Sequence, residues 1–114
     1  MTPYEMAKWI HKELSPIAPK LSAALNRALI DIGEGSVLVG IGHGTHEDDQ
    51  ISFQEIEIIN VQENDPANIL AIISGVLGKL EEQTSWKVLI DKKPSSDPNT
   101  IELLYTIFRS KKIF

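Results

Sequence analysis

The run Ser36-Val-Leu-Val-Gly-Ile41, Gly42-His-Gly-Thr-His-Glu-Asp-Asp49, Gln50-Ile-Ser-Phe-Gln-Glu-Ile-Glu-Ile-Ile-Asn-Val61 decides the fold class of this chain. It reads as an apolar strand over 36–41, a polar loop over 42–49 and a second strand over 50–61. In the first strand Val37, Val39 and Ile41 share one face, with Leu38 and Gly40 on the other. In the second, Ile51 and Phe53 alternate with Ser52 and Gln54, but the apolar residues then continue on the opposite parity at Ile56 and Ile58. Facing has a period of two along a strand, so this reversal predicts a β-bulge near Glu55.

Helical spacing lies on both sides of this run. Thr2-Pro3-Tyr4-Glu5 is a helix start, with Thr2 as cap, Pro3 in the first position and Glu5 completing a capping box. Met6, Ile10 and Leu14 follow at helical spacing until Ser15-Pro16 and Pro19 break the pattern. Leu21, Ala24, Leu25, Ala28, Leu29 and Ile32 make one apolar stripe of a second helix, stopped by Gly33-Glu34-Gly35. Asp65-Pro66 opens a third helix with Ile69, Ile72, Ile73, Val76, Leu77 and Leu80 on its apolar face. Gly75 and Gly78 each cost roughly 1 kcal/mol relative to alanine in such a helix, which predicts close approach of another backbone.

A third strand is expected from Trp86 to Asp91 and a loop over 92–98. The last segment, 99–108, fits two readings. Ile101, Leu103, Tyr105 and Ile107 alternate as in a strand, whereas Ile101, Leu104, Tyr105 and Phe108 suit a helix capped by Asp97-Pro98-Asn99-Thr100. Its β-branched and aromatic content favours the strand. The order is α-α-β-β-α-β-β: an α+β domain with a mainly antiparallel sheet of about four strands and helices on one face. Residues 1–19 read as a helical arm before a core domain of residues 20–114. The expected core is Ile10, Leu21, Leu25, Leu29, Val37, Val39, Phe53, Ile58, Ile69, Ile73, Leu77, Val88, Ile90 and Tyr105.

With 114 residues, 42% hydrophobic and 24% charged, the chain has the size and composition of one globular domain. It has no cysteine, so disulfides, thiolate metal sites and cysteine nucleophiles are excluded. A net charge of −5 disfavours general binding to phosphate backbones. The first residues carry neither the basic region nor the apolar run of a signal peptide, and Ile69-Leu-Ala-Ile-Ile73 is too short to span a bilayer. A soluble protein made in the cytosol is expected.

The residues that look most like a site are His43 and His46, three apart and followed by Glu47, Asp48 and Asp49. Imidazoles and carboxylates can hold a divalent metal, but a solvated hairpin loop needs the same small and polar residues. The loop reading is preferred, and no metal or other cofactor is expected. Gly40-Ile-Gly-His-Gly44 leads into an acidic loop and a strand, not a helix, so it lacks the context of a phosphate loop. His11, the remaining histidine, falls on the first helix as a surface residue, and Glu55 with Glu57 and Glu81 with Glu82 read as solvated faces. No catalytic set emerges, and an enzyme is not expected. Trp86 shares a strand face with Val88 and Ile90 and is expected in the core. Trp9 falls off the Met6-Ile10-Leu14 line, as an interface residue would.

The sequence of elements resembles the tail terminator and tail-completion proteins of tailed bacteriophages. The matching parts are the helix over 21–32, the strand over 36–41, the acidic loop over 42–49, the strand over 50–61, the helix over 66–82, the strand over 86–91, the loop over 92–98 and the final strand over 100–109. The helix over 3–14 and the break at Pro16 and Pro19 depart from that pattern. The family has no sharp motif, so no functional residue carries over. The resemblance implies a non-enzymatic structural protein: a homo-oligomeric, hexameric ring that ends tail-tube growth and contacts tube and neck proteins. It also implies a place in the tail or neck of a virion, after synthesis in the bacterial host's cytoplasm, without membrane or sequence-specific nucleic-acid binding. The candidate partner-binding residues are Trp9, His43, His46, Glu47, Asp48, Asp49, Lys92 and Lys93. The alternative is a small acidic immunity or inhibitor protein that matches a basic partner through Glu47, Asp48, Asp49 and Glu55.

Overall fold

The computed structural model describes residues 2–32, 45–47, 50–61 and 65–110, with the backbone alone described at 45–47, 50 and 110. The fold class is α+β. Along the chain come α1 (Pro3–Leu14), α2 (Pro19–Asn26, continued as a π-helix over Arg27–Ile32), β1 (Thr45–Glu47), β2 (Gln50–Asn60), α3 (Pro66–Gln83), β3 (Lys87–Lys93) and β4 (Thr100–Ser110).

α1 begins with the capping box its sequence announces. Thr2 Oγ1 accepts from the Glu5 backbone N–H at 3.1 Å, and Glu5 Oε1 accepts from the Thr2 N–H at 2.9 Å. Those bonds from Thr2 hold the Glu5 carboxyl below its ordinary pKa. Met6, Ala7, Ile10 and Leu14 are buried along one stripe. α2 buries Leu21, Ser22, Ala24 and Leu25, and its π-helical continuation buries Ala28, Leu29 and Ile32. The sequence predicts an unbroken α-helix here; the wider π turn stretches its second half. Asn26 ties the two helices together, donating from Nδ2 to the carbonyl oxygens of Ser22 at 3.0 Å and Ala7 at 3.3 Å.

The strands form one antiparallel sheet in the order β1-β2-β4-β3. β2 and β4 pair without interruption from Gln50 opposite Ser110 to Asn60 opposite Thr100. The bulge expected near Glu55 is therefore absent, and Ile51, Phe53, Glu55, Glu57 and Ile59 all face one way. β1 lies within the stretch expected to be loop, because Thr45, His46 and Glu47 pair with Ser52, Ile51 and Gln50. The strand expected over 36–41 falls outside the described residues. The ambiguous last segment is a strand, and β3 extends to Lys93, so Lys92 and Lys93 pair with Leu103 and Glu102 and do not open a loop.

All the described helices pack on one face of the sheet. α3 starts from Asp65, whose Oδ1 accepts from the Ala67 N–H at 3.0 Å, and buries Ile69, Ile73, Val76, Leu77 and Leu80. Facing them from the strands are Ile51, Phe53, Ile59, Ile101, Leu103, Tyr105 and Ile107, together with Trp86 just before β3. Phe53 meets Trp86 edge to face, with ring centroids 6.3 Å apart. The buried Arg109 guanidinium lies 5.2 Å from the Trp86 ring centroid.

Three expectations need correction. Ile58 was expected in the core and is 63% exposed, because the strand keeps its phase. Glu57, expected in solvent, is buried for the same reason. Gly75 and Gly78 are exposed on α3, and a Cβ at either would meet nothing within 4 Å, so no backbone packs there. Val88 and Ile90 are partly buried against the core, whereas Val37 and Val39 lie outside the described residues. Among the described residues no helix is long and apolar enough to cross a membrane.

Candidate functional site

The face of the sheet turned away from the helices carries the least expected surface of the molecule. Its residues are set by the pairing register. Ser52, Phe108 and Lys87 form one row across β2, β4 and β3. Gln54, Thr106 and Leu89 form the next, followed by Ile56, Leu104 and Asp91, then Ile58, Glu102 and Lys93. Ile56 is 50% exposed, and Ile58 and Leu89 are each 63% exposed. Leu104, in the row of Ile56, is half-buried, as is Phe108 in the row of Ser52 and Lys87. Antiparallel sheets commonly leave one face to water, but that face then carries polar residues. A cluster of large exposed aliphatics marks an interaction surface more often than a solvated one.

The polar residues of the face frame this patch. Gln54 Nε2 donates to Thr106 Oγ1 at 3.4 Å. Lys93 Nζ pairs with Asp91 Oδ2 at 2.9 Å, two residues along the same strand and therefore on the same side. That hydrogen bond, and then the charge of Asp91, raise the Lys93 ammonium above its ordinary pKa. The described ionised groups of the face are Lys87, Asp91, Lys93 and Glu102, two of each sign.

A second polar cluster lies on the helix side, at Glu57. The cap position of α2 is Ala18, which has no side chain able to cap, and Pro19 follows it. Glu57 reaches across from β2 instead. Its Oε2 accepts from the Lys20 N–H at 2.8 Å, and its Oε1 accepts from the Leu21 N–H at 3.3 Å. Tyr105 Oη donates to the same Oε1 at 2.6 Å. Burial, and then this bond to the Glu57 carboxylate, push the Tyr105 hydroxyl far above the ordinary phenol range. The negative charge sits at the positive end of a helix, with donors supplied for both oxygens. Glu57 is 3% exposed. A carboxylate so enclosed, and bonded at both oxygens, serves as the cap of α2.

The sequence-derived candidates are scattered. Trp9 is half-buried in the helical layer, with Lys79 Nζ 4.9 Å from its ring centroid, on the opposite side of the molecule from the open sheet face. The backbones of His46 and Glu47 pair with Ile51 and Gln50 in β1, whereas His43, Asp48 and Asp49 lie outside the described residues. Lys92 pairs on the helix-side parity and is exposed at the sheet end; Lys93 belongs to the open face. Among the candidates whose side chains are described, Lys93 lies beside the apolar patch. Ile56, Ile58, Leu89 and Leu104 were missed, although the even-numbered isoleucines of β2 were the signal. They were read as evidence for a bulge.

Other concavities are chemically unfocused. A groove of about 610 Å³ between α1 and α2 brings together Lys8, His11, Arg27 and Asp31, with Tyr4 and Ile30 beside them. Among the described residues no group of three or more His, Cys, Asp or Glu side chains is arranged to hold a metal. Comparison with known proteins finds no matching family model, no matching curated protein and no matching solved structure.

Proposed function

We propose that the chain is a non-enzymatic assembly protein that works by docking the open face of its sheet. The observation that carries this reading is the exposure of Ile56, Ile58 and Leu89 on the sheet face turned away from the described helices. Burying an exposed Ile or Leu side chain contributes roughly 1.5–3 kcal/mol, so a partner that covers the patch gains a large part of a specific association energy from these residues. The enclosed Glu57 fits the same reading, since among the described residues the most buried carboxylate serves architecture.

The finer form of the proposal is the one the order of elements suggests: a subunit of a ring, resembling phage tail terminators, that ends a tail tube and joins it to the head-proximal connector. Ring closure needs head-to-tail contacts between unlike patches. The open sheet face supplies one apolar patch of the kind such a contact uses.

The test is the size of the complex the protein forms in cells that produce it. Wild type is expected to run well above its 12.7 kDa chain mass on native size fractionation. Ile58→Asp, folded by circular dichroism, is expected to run as the free chain. Negative-stain images of the wild-type fraction test the ring. An Ile58→Asp complex of unchanged size overturns the docking reading, and a complex without rings overturns only its finer form.

A further inference from the structure

We infer that the edge of β2 from Gln54 to Ile58 is a docking site for an extended, uncharged segment of a partner protein, which adds to the sheet as a further strand. This surface is the edge of the sheet, distinct from the open face, and it is tested separately.

The backbone supplies the first argument. The Val61 N–H donates to the Asn99 carbonyl oxygen at 2.8 Å, in register with the β2–β4 ladder. Alternate residues of an antiparallel strand exchange both bonds with the same neighbour, so the odd-numbered residues of β2 bond to β4. The N–H and C=O groups of Gln54, Ile56 and Ile58 therefore point the other way. Among the described residues, β1 is the strand on that side, and it pairs no further than Ser52. Natural edges are closed to neighbours by proline, lysine or a bulge, and β2 has none of these from Phe53 to Asn60.

The walls supply the second argument. The edge forms the floor of a groove of about 750 Å³ that every residue from Gln54 to Asn60 lines. Consecutive residues, which face opposite sides of a sheet, share one groove where the strand's edge is its floor. Pro16, Ile17, Pro19 and Lys20, in the turn from α1 to α2, stand over it on the helix side, and Leu104 flanks it on the other. Glu57 fixes that turn, because its carboxylate holds the Lys20 and Leu21 N–H groups. The wall is thus in place before a strand arrives. Besides Glu57, the charged side chains that line the groove are Lys20 and Glu55, of opposite sign. An acidic segment is repelled by the chain's net charge of −5, and a basic one meets Lys20. Main-chain bonds and apolar walls together select an uncharged extended segment.

Two nearer occupants fit less well. α2 begins beside Glu57 and passes Phe53, whose ring centroid lies 6.0 Å from the Arg27 guanidinium carbon, so it ends near the β1 end of β2. The twelve residues 33–44 leave from there and return to Thr45, opposite Ser52. A strand running back from Thr45 to the groove's far end at Asn60 would use eight of them. The five remaining steps of chain reach about 18 Å at most, whereas the strand from Phe53 to Asn60 alone spans about 24 Å. The β2 edge of a second copy, paired along the whole groove about a two-fold axis, would centre on Glu57. The α1–α2 turns of both copies would then stand over the same point. A segment of another protein meets neither obstacle.

The test titrates the isotope-labelled full chain with a capped seven-residue peptide of alternating threonine and valine, followed by amide NMR. The peptide is expected to shift the amides of Gln54, Ile56 and Ile58 saturably and to slow hydrogen exchange at Ile56 and Ile58. The same peptide methylated on its backbone nitrogens keeps its side chains and loses its donors, and is expected to bind at least about tenfold more weakly. No saturable shift at millimolar peptide overturns the inference, as does binding that survives methylation. Ile56 and Ile58 amides already protected in the peptide-free chain overturn it too. Protection at every concentration assigns the edge to the chain itself, and protection that grows with concentration assigns it to a second copy.

Discussion

The two faces of one sheet carry similar side chains and have opposite fates. On the helix side, Ile51, Phe53, Ile59, Leu103, Tyr105 and Ile107 are buried, and the carboxylate among them caps a helix. On the other side, Ile56, Ile58 and Leu89 stand in solvent among lysines and carboxylates, of which Lys93 pairs with Asp91. Adjacent residues of β2 make the point: Ile58 is 63% exposed and Ile59 is 5% exposed. Hydrophobicity alone does not assign a strand residue to the core; the covering layer does. The buried Glu57 shows the converse, because a charge enters the core where a helix end presents donors to it.

Substitutions that separate the faces follow from this comparison, and the largest effect is expected at Trp86. Trp86→Ala removes the largest fully buried side chain and is expected to cost about 3–5 kcal/mol, read by urea unfolding. Leu89→Ala, three residues on and 63% exposed, is expected to stay within about 0.5 kcal/mol. Equal losses at both positions would break the comparison.

Glu57→Leu is expected next, at about 3 kcal/mol, because it strands the Lys20 and Leu21 N–H groups and the Tyr105 hydroxyl. Tyr105→Phe is expected to cost about 1–1.5 kcal/mol, since one bond to an ionised group is lost. The double substitution is expected to cost less than the sum, because both remove the same bond. Strict additivity would show that the two groups do not share an interaction.

The Tyr105 hydroxyl also gives the helix side a pH signature. Its pKa is raised in the folded state, so the unfolded chain ionises first as pH rises. Its contribution is fully present below the unfolded value of about 10 and is lost as pH climbs from there towards the folded value. The difference in stability between wild type and Tyr105→Phe, followed from pH 8 upward, is expected to be flat up to about pH 10 and then to shrink. A difference that grows with pH would contradict the assignment.

The smallest of these effects is expected at the N-terminal cap. Thr2→Ala is expected to cost about 1 kcal/mol. Glu5, whose carboxyl is lowered by its bonds to Thr2, contributes above its unfolded pKa and stops contributing as pH falls through its lower folded value. Glu5→Gln, which keeps the Thr2 cap, and wild type should therefore converge in acid, which a pH series of thermal melts will show.

Much of this was legible in the sequence wherever a local rule acts alone. Thr2 with Glu5, Asp65 with Pro66 and the strand alternation of Ile101, Leu103, Tyr105 and Ile107 all read correctly because their signals are short-range. Parity over Glu55–Ile58 did not. Ile56 and Ile58 looked like core and Glu57 like surface, so a bulge was the economical reading. What overrode it was the Lys20–Leu21 end of α2, 36 and 37 residues away in sequence, whose donors no pattern in β2 reveals. The docking patch was hidden by the same error: residues taken as core cannot also be read as exposed surface. The wide turn over Arg27–Ile32 left no sequence signal, since its buried positions match those of an α-helix.

The most direct test of the unbroken alternation is equilibrium urea unfolding of two neighbouring substitutions, Ile58→Asp and Ile59→Asp. Ile58→Asp is expected to fold with a stability within about 0.5 kcal/mol of wild type at a concentration where the chain is monomeric. Ile59→Asp, which puts an unpaired carboxylate among Ile69, Ile101 and the rest of the helix-side core, is expected to lose at least about 3 kcal/mol or fail to fold. The reverse order, with Ile58→Asp the more damaging, would mean that β2 does reverse its facing and that the open apolar face does not exist.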